Sequence, residues 1–144
     1  MLIVEILRGK SGPVVTVAPG ATVRALLGLL AEHGIGAAVV SSDGCSVEGI
    51  VSERDVMRAL ADRGAGVLDE PVRDICTTEV HTVTPHARTD QLMVVMTDKR
   101  VRHVPVVENG ELVGIVSIGD VVKHRTAELE AEAAAMSAYI STGG

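Results

Sequence analysis

Two stretches of this chain repeat each other. Gly49-Ile50-Val51-Ser52-Glu53-Arg54-Asp55-Val56 returns as Gly114-Ile115-Val116-Ser117-Ile118-Gly119-Asp120-Val121. A duplicated unit constrains the fold more than local propensity does, because each copy must bury its apolar face on its neighbour or on itself. Each copy reads as a strand running into a helix, with a hydroxyl three residues before a carboxylate. One hydroxyl and one carboxylate per copy suffice to build a two-fold pair of ligand sites.

The duplication extends upstream. Thr16-Val17-Ala18-Pro19 is matched by Thr82-Val83-Thr84-Pro85, and the two prolines are 66 residues apart. After each proline the apolar positions follow helical spacing: Val23, Leu26, Leu27 and Leu30, then Leu92, Val95 and Met96. Gly34 suits the left-handed C-cap of the first helix, whereas Arg100 stands there in the second copy. Ile35 to Val40 and Val101 to Val107 are β-branched runs that predict buried strands. Asp43-Gly44 and Asn109-Gly110 then predict tight hairpin turns. Second strands follow, Val47 to Val51 and Leu112 to Val116. Asp55 and Asp120 are 65 residues apart, so the first copy carries one extra residue near Cys45-Ser46. Ser52 and Ser117 fall where an N-cap belongs, with Asp55 and Asp120 at N3, close to a capping box.

The chain divides into residues 1–62, a Gly-rich linker 63–71 ending at Pro71, residues 72–126, and a helix and tail 127–144. Val72 to Cys76 predict a short helical turn leading into the second copy. The last helix is expected to run from Asp120 towards Tyr139 through the helix-forming stretch Ala127 to Ala135. Leu129, Ala133, Met136 and Ile140 form a stripe at 4-3-4 spacing. Either the chain's own core or a second chain must cover it. An extension beyond the repeat has little intrachain core left, so a homodimer contact is expected.

Composition narrows the function classes. With 13 Lys and Arg against 19 Asp and Glu, the net charge is −6, and neither Trp nor Phe is present. That argues against nucleic-acid binding, which needs a basic face or a stacking platform. Charge interrupts the apolar runs well before a membrane span could form. The start, Met1-Leu2-Ile3-Val4-Glu5, lacks the basic region of a signal peptide, so a cytoplasmic protein is expected. Cys45 and Cys76 have no CxxC spacing and read as reduced and structural. No metal-ligand spacing and no nucleophile–base pair is recognisable, so a catalytic role is not expected. His33, His81, His86 and His124 read as surface residues.

Each copy thus reads as a helix, a two-strand hairpin and a second helix behind a Thr-Val-x-Pro lead-in. With Val104-Pro105-Val106-Val107 and the doubled Gly-x-x-Ser-x-x-Asp, this resembles the CBS domain family over residues 7 to 62 and 72 to 126. The resemblance implies an α/β protein of the α+β kind. Two repeats, each a small sheet packed with helices, would be related by a pseudo-two-fold axis and followed by an extended C-terminal helix. It also implies a non-catalytic regulatory module that binds adenine nucleotides in two clefts between the repeats. AMP is the first expectation, with ATP, NAD(H) or S-adenosylmethionine as other ligands.

The residues make physical sense of such clefts. A fixed carboxylate, Asp55 or Asp120, can accept from both hydroxyls of a ribose. Ser52 and Ser117 at helix N-termini suit a phosphate. Ile50, Ile115, Val83 and Val17 are candidate aliphatic walls for adenine. The resemblance implies that the Asp of one repeat faces the first strand of the other. The first cleft would then join Ile50, Ser52, Arg54 and Asp55 to Arg102, His103, Val104 and Pro105, completed by Thr78, Val80 and Thr82. The second would join Ile115, Ser117 and Asp120 to Ile35, Gly36, Ala37 and Ala38, with Lys10, Gly12 and Thr16 at its rim. Arg54, Arg102 and His103 favour phosphate in the first cleft. The second, with Gly36 and Gly119, has more room, and Lys10 is its candidate cation; it is expected to be weak, empty, or filled by a larger adenine-containing ligand. Ser and Asp at these spacings also occur as plain helix caps. A structural dimeric interaction protein with degenerate clefts is therefore the competing expectation.

Overall fold

The computed structural model describes residues 1–10 and 12–143. Helix α1 (Ile3–Arg8) leads to β1 (Thr16–Val17), α2 (Val23–His33), β2 (Ala37–Val40), β3 (Gly49–Ser52) and α3 (Glu53–Arg63). The second copy comprises α4 (Thr89–Lys99), β4 (His103–Glu108), β5 (Glu111–Ser117) and α5 (Ile118–Gly143). The result is a mixed α/β chain of two small sheets packed against helices.

The two halves share one register. Ala37 faces Ser52 and Ala38 faces Val51 across β2 and β3, as His103 faces Ser117 and Val104 faces Val116 across β4 and β5. Val17 pairs parallel to Val40 in the first sheet, and Val83 bridges parallel to Val106 in the second. The shared register carries the repeat spacing of the sequence into three dimensions.

Local chemistry explains the element ends. Thr22 Oγ1 accepts from the Ala25 N–H, which caps α2, and Gly34 closes it in the left-handed region at φ 62°. Arg100 closes α4 in the same region, φ 54°, although a side chain is disfavoured there. Asn109 and Gly110 both have positive φ, as a type I′ hairpin turn requires. The tight turn expected at Asp43-Gly44 is instead a longer loop, 41–48, because the Asp43 carboxylate organises it, accepting from the N–H groups of Cys45 and Ser46 and from the hydroxyls of Ser41 and Ser46. The backbone bonds from Ser46 and Cys45, with those hydroxyls, hold its carboxyl well below the usual carboxylate range.

Core membership does not follow chain order. One cluster gathers Val17, Val23, Leu26, Val40, Val51 and Val56 of the first copy with Val72 from beyond the linker. The other gathers Leu92, Met96, Val104, Val116 and Val121 of the second copy with Ile3 and Ile6 of α1. The N-terminal helix is stitched to the second copy, its Ile3 and Val4 N–H groups donating to the carbonyls of Ala87 and Pro85. Conversely, Val72 and Arg73 donate to Ala21 and Pro19 of the first copy. The turn read as leading into the second copy is a 3-10 helix, Val72–Asp74, docked on the first. The segment read as a linker holds another 3-10 helix, Ala65–Asp69, with Val67 buried. Each segment buries at least one large aliphatic side chain, worth about 1.5–3 kcal/mol apiece, so neither is a free spacer.

The final helix begins at Ile118, directly after the expected Ser117 cap, and runs past Tyr139 to Gly143. Only Val121 on it is buried, and Leu129, Met136 and Ile140 are 49%, 64% and 67% exposed. The predicted stripe is therefore not covered by the chain's own core. No helix among the described residues is long and apolar enough to cross a membrane.

Candidate functional site

Two clefts open where the halves meet, and Gly36, Ala37 and His103 line both. Each is built from a Gly-x-x-Ser-x-x-Asp junction. The glycine starts the last strand turn because something crosses it closely. A Cβ on Gly49 would meet the Thr77 carbonyl oxygen at 3.0 Å, and one on Gly114 would meet a Leu7 methyl at 2.5 Å. The Ser and Asp then lock the helix start.

In the first copy, the Asp55 N–H donates to Ser52 Oγ at 3.3 Å. Asp55 Oδ2 accepts from the Ser52 N–H at 2.8 Å and from the Ser52 hydroxyl at 3.0 Å. In the second copy, the Asp120 N–H donates to Ser117 Oγ at 3.1 Å, and Asp120 Oδ2 accepts from the Ser117 N–H at 2.9 Å. Both pairs are genuine capping boxes, with Asp in the place usually held by Glu or Gln.

The first cleft has a volume of about 250 Å³. Ile50, Ser52, Arg54 and Asp55 come together there with Val80, Arg102 and His103, as expected from the sequence. Thr78, Thr82, Val104 and Pro105 lie outside its wall. Val104 is wholly buried in the second core cluster, Pro105 is buried, and Thr78 and Thr82 are exposed. Thr77 lines the cleft instead of Thr78, because it exchanges both backbone hydrogen bonds with Ile50 at 2.9 Å.

Arg58 and Arg100 also line this cleft and were missed. Arg58 had a signal, since it stands one helical turn after Arg54 on the same face. The cleft thus sets four arginines, at 54, 58, 100 and 102, against the carboxylates of Glu53, Asp55 and Glu79. Burial pushes the His103 imidazole below its ordinary value, Lys10 and Arg102 adding to that effect and Glu53 and Asp120 opposing it.

The second cleft is larger, about 720 Å³. Lys10, Gly12, Ile35, Gly36, Ala37, Ile115, Ser117 and Asp120 meet there. Thr16 and Ala38 do not line it: Thr16 pairs with Val39 in the sheet, and Ala38 is wholly buried in the first cluster. The proposed adenine walls Val17 and Val83 also face inward, Val17 within the first cluster and Val83 packed against the second. Their places are taken by Val14 and Val15, which line the second cleft as Val80 and His81 line the first. The 66-residue repeat spacing was the signal for both. His33 and His81, read as plain surface residues, are exposed but line the second and first clefts respectively.

Lys10 is not a free cation. Its Nζ donates to Asp120 Oδ2 at 2.7 Å and to the Ile115 carbonyl at 2.8 Å. Burial pushes the Asp120 carboxyl up, but the bonds from Lys10 and Ser117 outweigh it and leave it below the ordinary value. Among the described residues no three His, Cys, Asp or Glu side chains converge as metal ligands.

Known proteins share this plan. The CBS domain family matches at residues 6–62 and again at 72–126. A mitochondrial CBS domain-containing protein of Arabidopsis thaliana is 38% identical over 118 residues, 79% of this chain and 57% of that protein. The chain therefore spans little more than half the length of that relative. The crystal structure of a CBS-domain-containing protein from Agrobacterium tumefaciens is 45% identical, with a TM-score of 0.83 over 87% of this chain and 99% of that one. A CBS domain protein from Pyrobaculum aerophilum, solved in complex with AMP, is 33% identical, with a TM-score of 0.78 over 90% of this chain and 97% of that one.

Proposed function

This chain belongs to the CBS domain family as a tandem pair, and from that premise we propose that it is a non-catalytic regulatory module binding AMP-type adenine nucleotides. The first cleft is the principal site. One observation carries this reading: the Asp55 carboxylate, fixed by Ser52, lines one cleft together with an arginine cluster contributed by both halves. Asp55 supplies acceptors for a ribose diol, the arginines and the α3 N-terminus supply donors for a phosphate, and Ile50 with Val80 supplies an aliphatic slot. A relative that carries AMP supports the ligand class. ATP and NAD(H) extend the same chemistry by further phosphates. The module would sample the cytoplasmic nucleotide pool and report it through a homodimer, for which the exposed stripe on α5 is the supporting feature.

Ligand that binds only the folded chain stabilises it, by about 2.7 kcal/mol at a hundred times Kd. Thermal unfolding with AMP should therefore shift upward by several degrees, and Asp55→Ala should abolish most of that shift. An unfolding midpoint indifferent to AMP, ATP and NAD(H) at millimolar concentration would refute the reading and favour an interaction protein with degenerate clefts.

A further inference from the structure

The two clefts differ in what holds a matched pair of acceptors, one backbone carbonyl and one carboxylate. In the first, Ile50 spends its edge carbonyl on the Thr77 N–H, and among the described residues the Asp55 carboxylate is engaged only by Ser52. In the second, the equivalent carbonyl of Ile115 and the equivalent carboxylate of Asp120 are both held by the Lys10 ammonium. The Ser52 hydroxyl donates to its Asp, whereas at Asp120 Oδ2 the second donor is Lys10. Lys10 reaches there because α1 is packed on the second copy, through Ile3, Ile6 and the contact of Leu7 with Gly114.

We propose that Lys10 is a resident occupant of the second cleft, holding the acceptor that a ribose would otherwise take. This rests on the nucleotide reading above. The clefts then fill in order. The first, whose carboxylate holds no ammonium and whose wall carries four arginines, loads at low ligand concentration. The second loads only when the ligand's hydroxyls displace the ammonium from Asp120. The second cleft is thus roomy but self-competed. Its ligand preference is set by the N-terminal segment rather than by the repeat that carries the Asp. Lys10 and Asp120 are both partly exposed, at 37% and 24%, so the pair is a modest competitor and can be displaced.

The test isolates the second cleft. AMP is titrated calorimetrically into the full chain carrying Asp55→Ala, with and without Lys10→Met. Met keeps the aliphatic stem and removes the charge. The double variant should bind AMP about fivefold more tightly than Asp55→Ala alone, the scale of a partly exposed ion pair. Adding Asp120→Ala should remove that gain. Lys10→Gln repeats the comparison should Lys10→Met fail to melt cooperatively. If binding is Asp55-dependent in the unaltered chain yet the second cleft is unchanged or weakened by Lys10→Met, the occupant role is overturned while the nucleotide reading stands. Weakening would make Lys10 a phosphate ligand instead. No AMP binding by any of these proteins would overturn both.

Discussion

His103 is the ionisable side chain lining both clefts, and its protonation should be felt by both. It is half-buried on β4, with Glu53, Arg102, Lys10 and Asp120 as its charged neighbours. Burial dominates, so its folded value lies below the ordinary one of 6.5. Between those two values the unfolded chain binds more protons, and stability rises with pH. The contribution is complete above about pH 6.5 and is lost as the pH falls towards the folded value. Asp120 acts in a separate, more acid window: its contribution is present above the ordinary carboxylate value and is lost below it. Urea midpoints measured from pH 5 to 7.5 should therefore fall towards acid, and His103→Gln should flatten that slope. AMP affinity should move the other way, strengthening as His103 becomes a cation beside the phosphate. A slope unchanged in His103→Gln would show that His103 is not the titrating group. The Ser–Asp pairs were legible in sequence because capping is a local rule written twice. The Lys10 contacts were not, because their acceptors lie 105 and 110 residues away and become neighbours only once α1 docks on the second copy.

Elements were legible in proportion to how locally they are specified. The Asn109-Gly110 turn and the Gly34 cap follow from residues that tolerate positive φ, and the structure has both where the sequence predicts, whereas Asp43-Gly44 sits within the longer loop 41–48 and only its glycine has positive φ. The short segments were the least legible: α1 gave no signal of its own, and the turn at Val72 was legible as a turn but not in where it docks. A six-residue helix and two 3-10 turns carry too little periodicity to announce which core they join, and their burial is decided by the opposite copy or by residues across the linker. Arg100 shows a local rule broken at the proposed site. It holds a left-handed conformation, which costs a side-chain-bearing residue roughly 1–2 kcal/mol, and it lines the first cleft. Arg100→Gly should raise stability by about 1 kcal/mol, read as a higher denaturant midpoint at constant slope. The same variant should bind AMP more weakly, a trade of stability for function. Unchanged or tighter AMP binding would remove Arg100 from the phosphate cluster, and lowered stability would mean that its side chain packs favourably enough to outweigh the strain.

At the scale of the whole molecule, two cores tied across one another leave α5, among the described residues, as the long element with an uncovered apolar face. Every residue from Leu129 to Gly143 is exposed. Leu129, Met136 and Ile140 lie along one helical stripe, with Tyr139 beside it at 74% exposure. Val122 and Ile118, nearer the clefts, are also exposed on the same helix. A monomer does not stabilise an isolated helix of this kind by propensity alone, because most helical stability in proteins comes from burying one face. Pairing two such stripes, at spacing suited to a helical seam, supplies that burial with no new element. Because α5 follows Ser117 and carries Asp120 in its first turn, a seam further along it would share one helix with the second cleft. Light scattering should give twice the chain mass at micromolar concentration. Leu129→Glu with Ile140→Glu should shift it to the monomer mass, since two charges placed in a small apolar seam would each need desolvation. AMP binding at the first cleft should survive in that variant, because none of the altered residues lines it. A dimer that persists would move the interface off α5, and a monomer in the unaltered chain would leave the stripe for another partner.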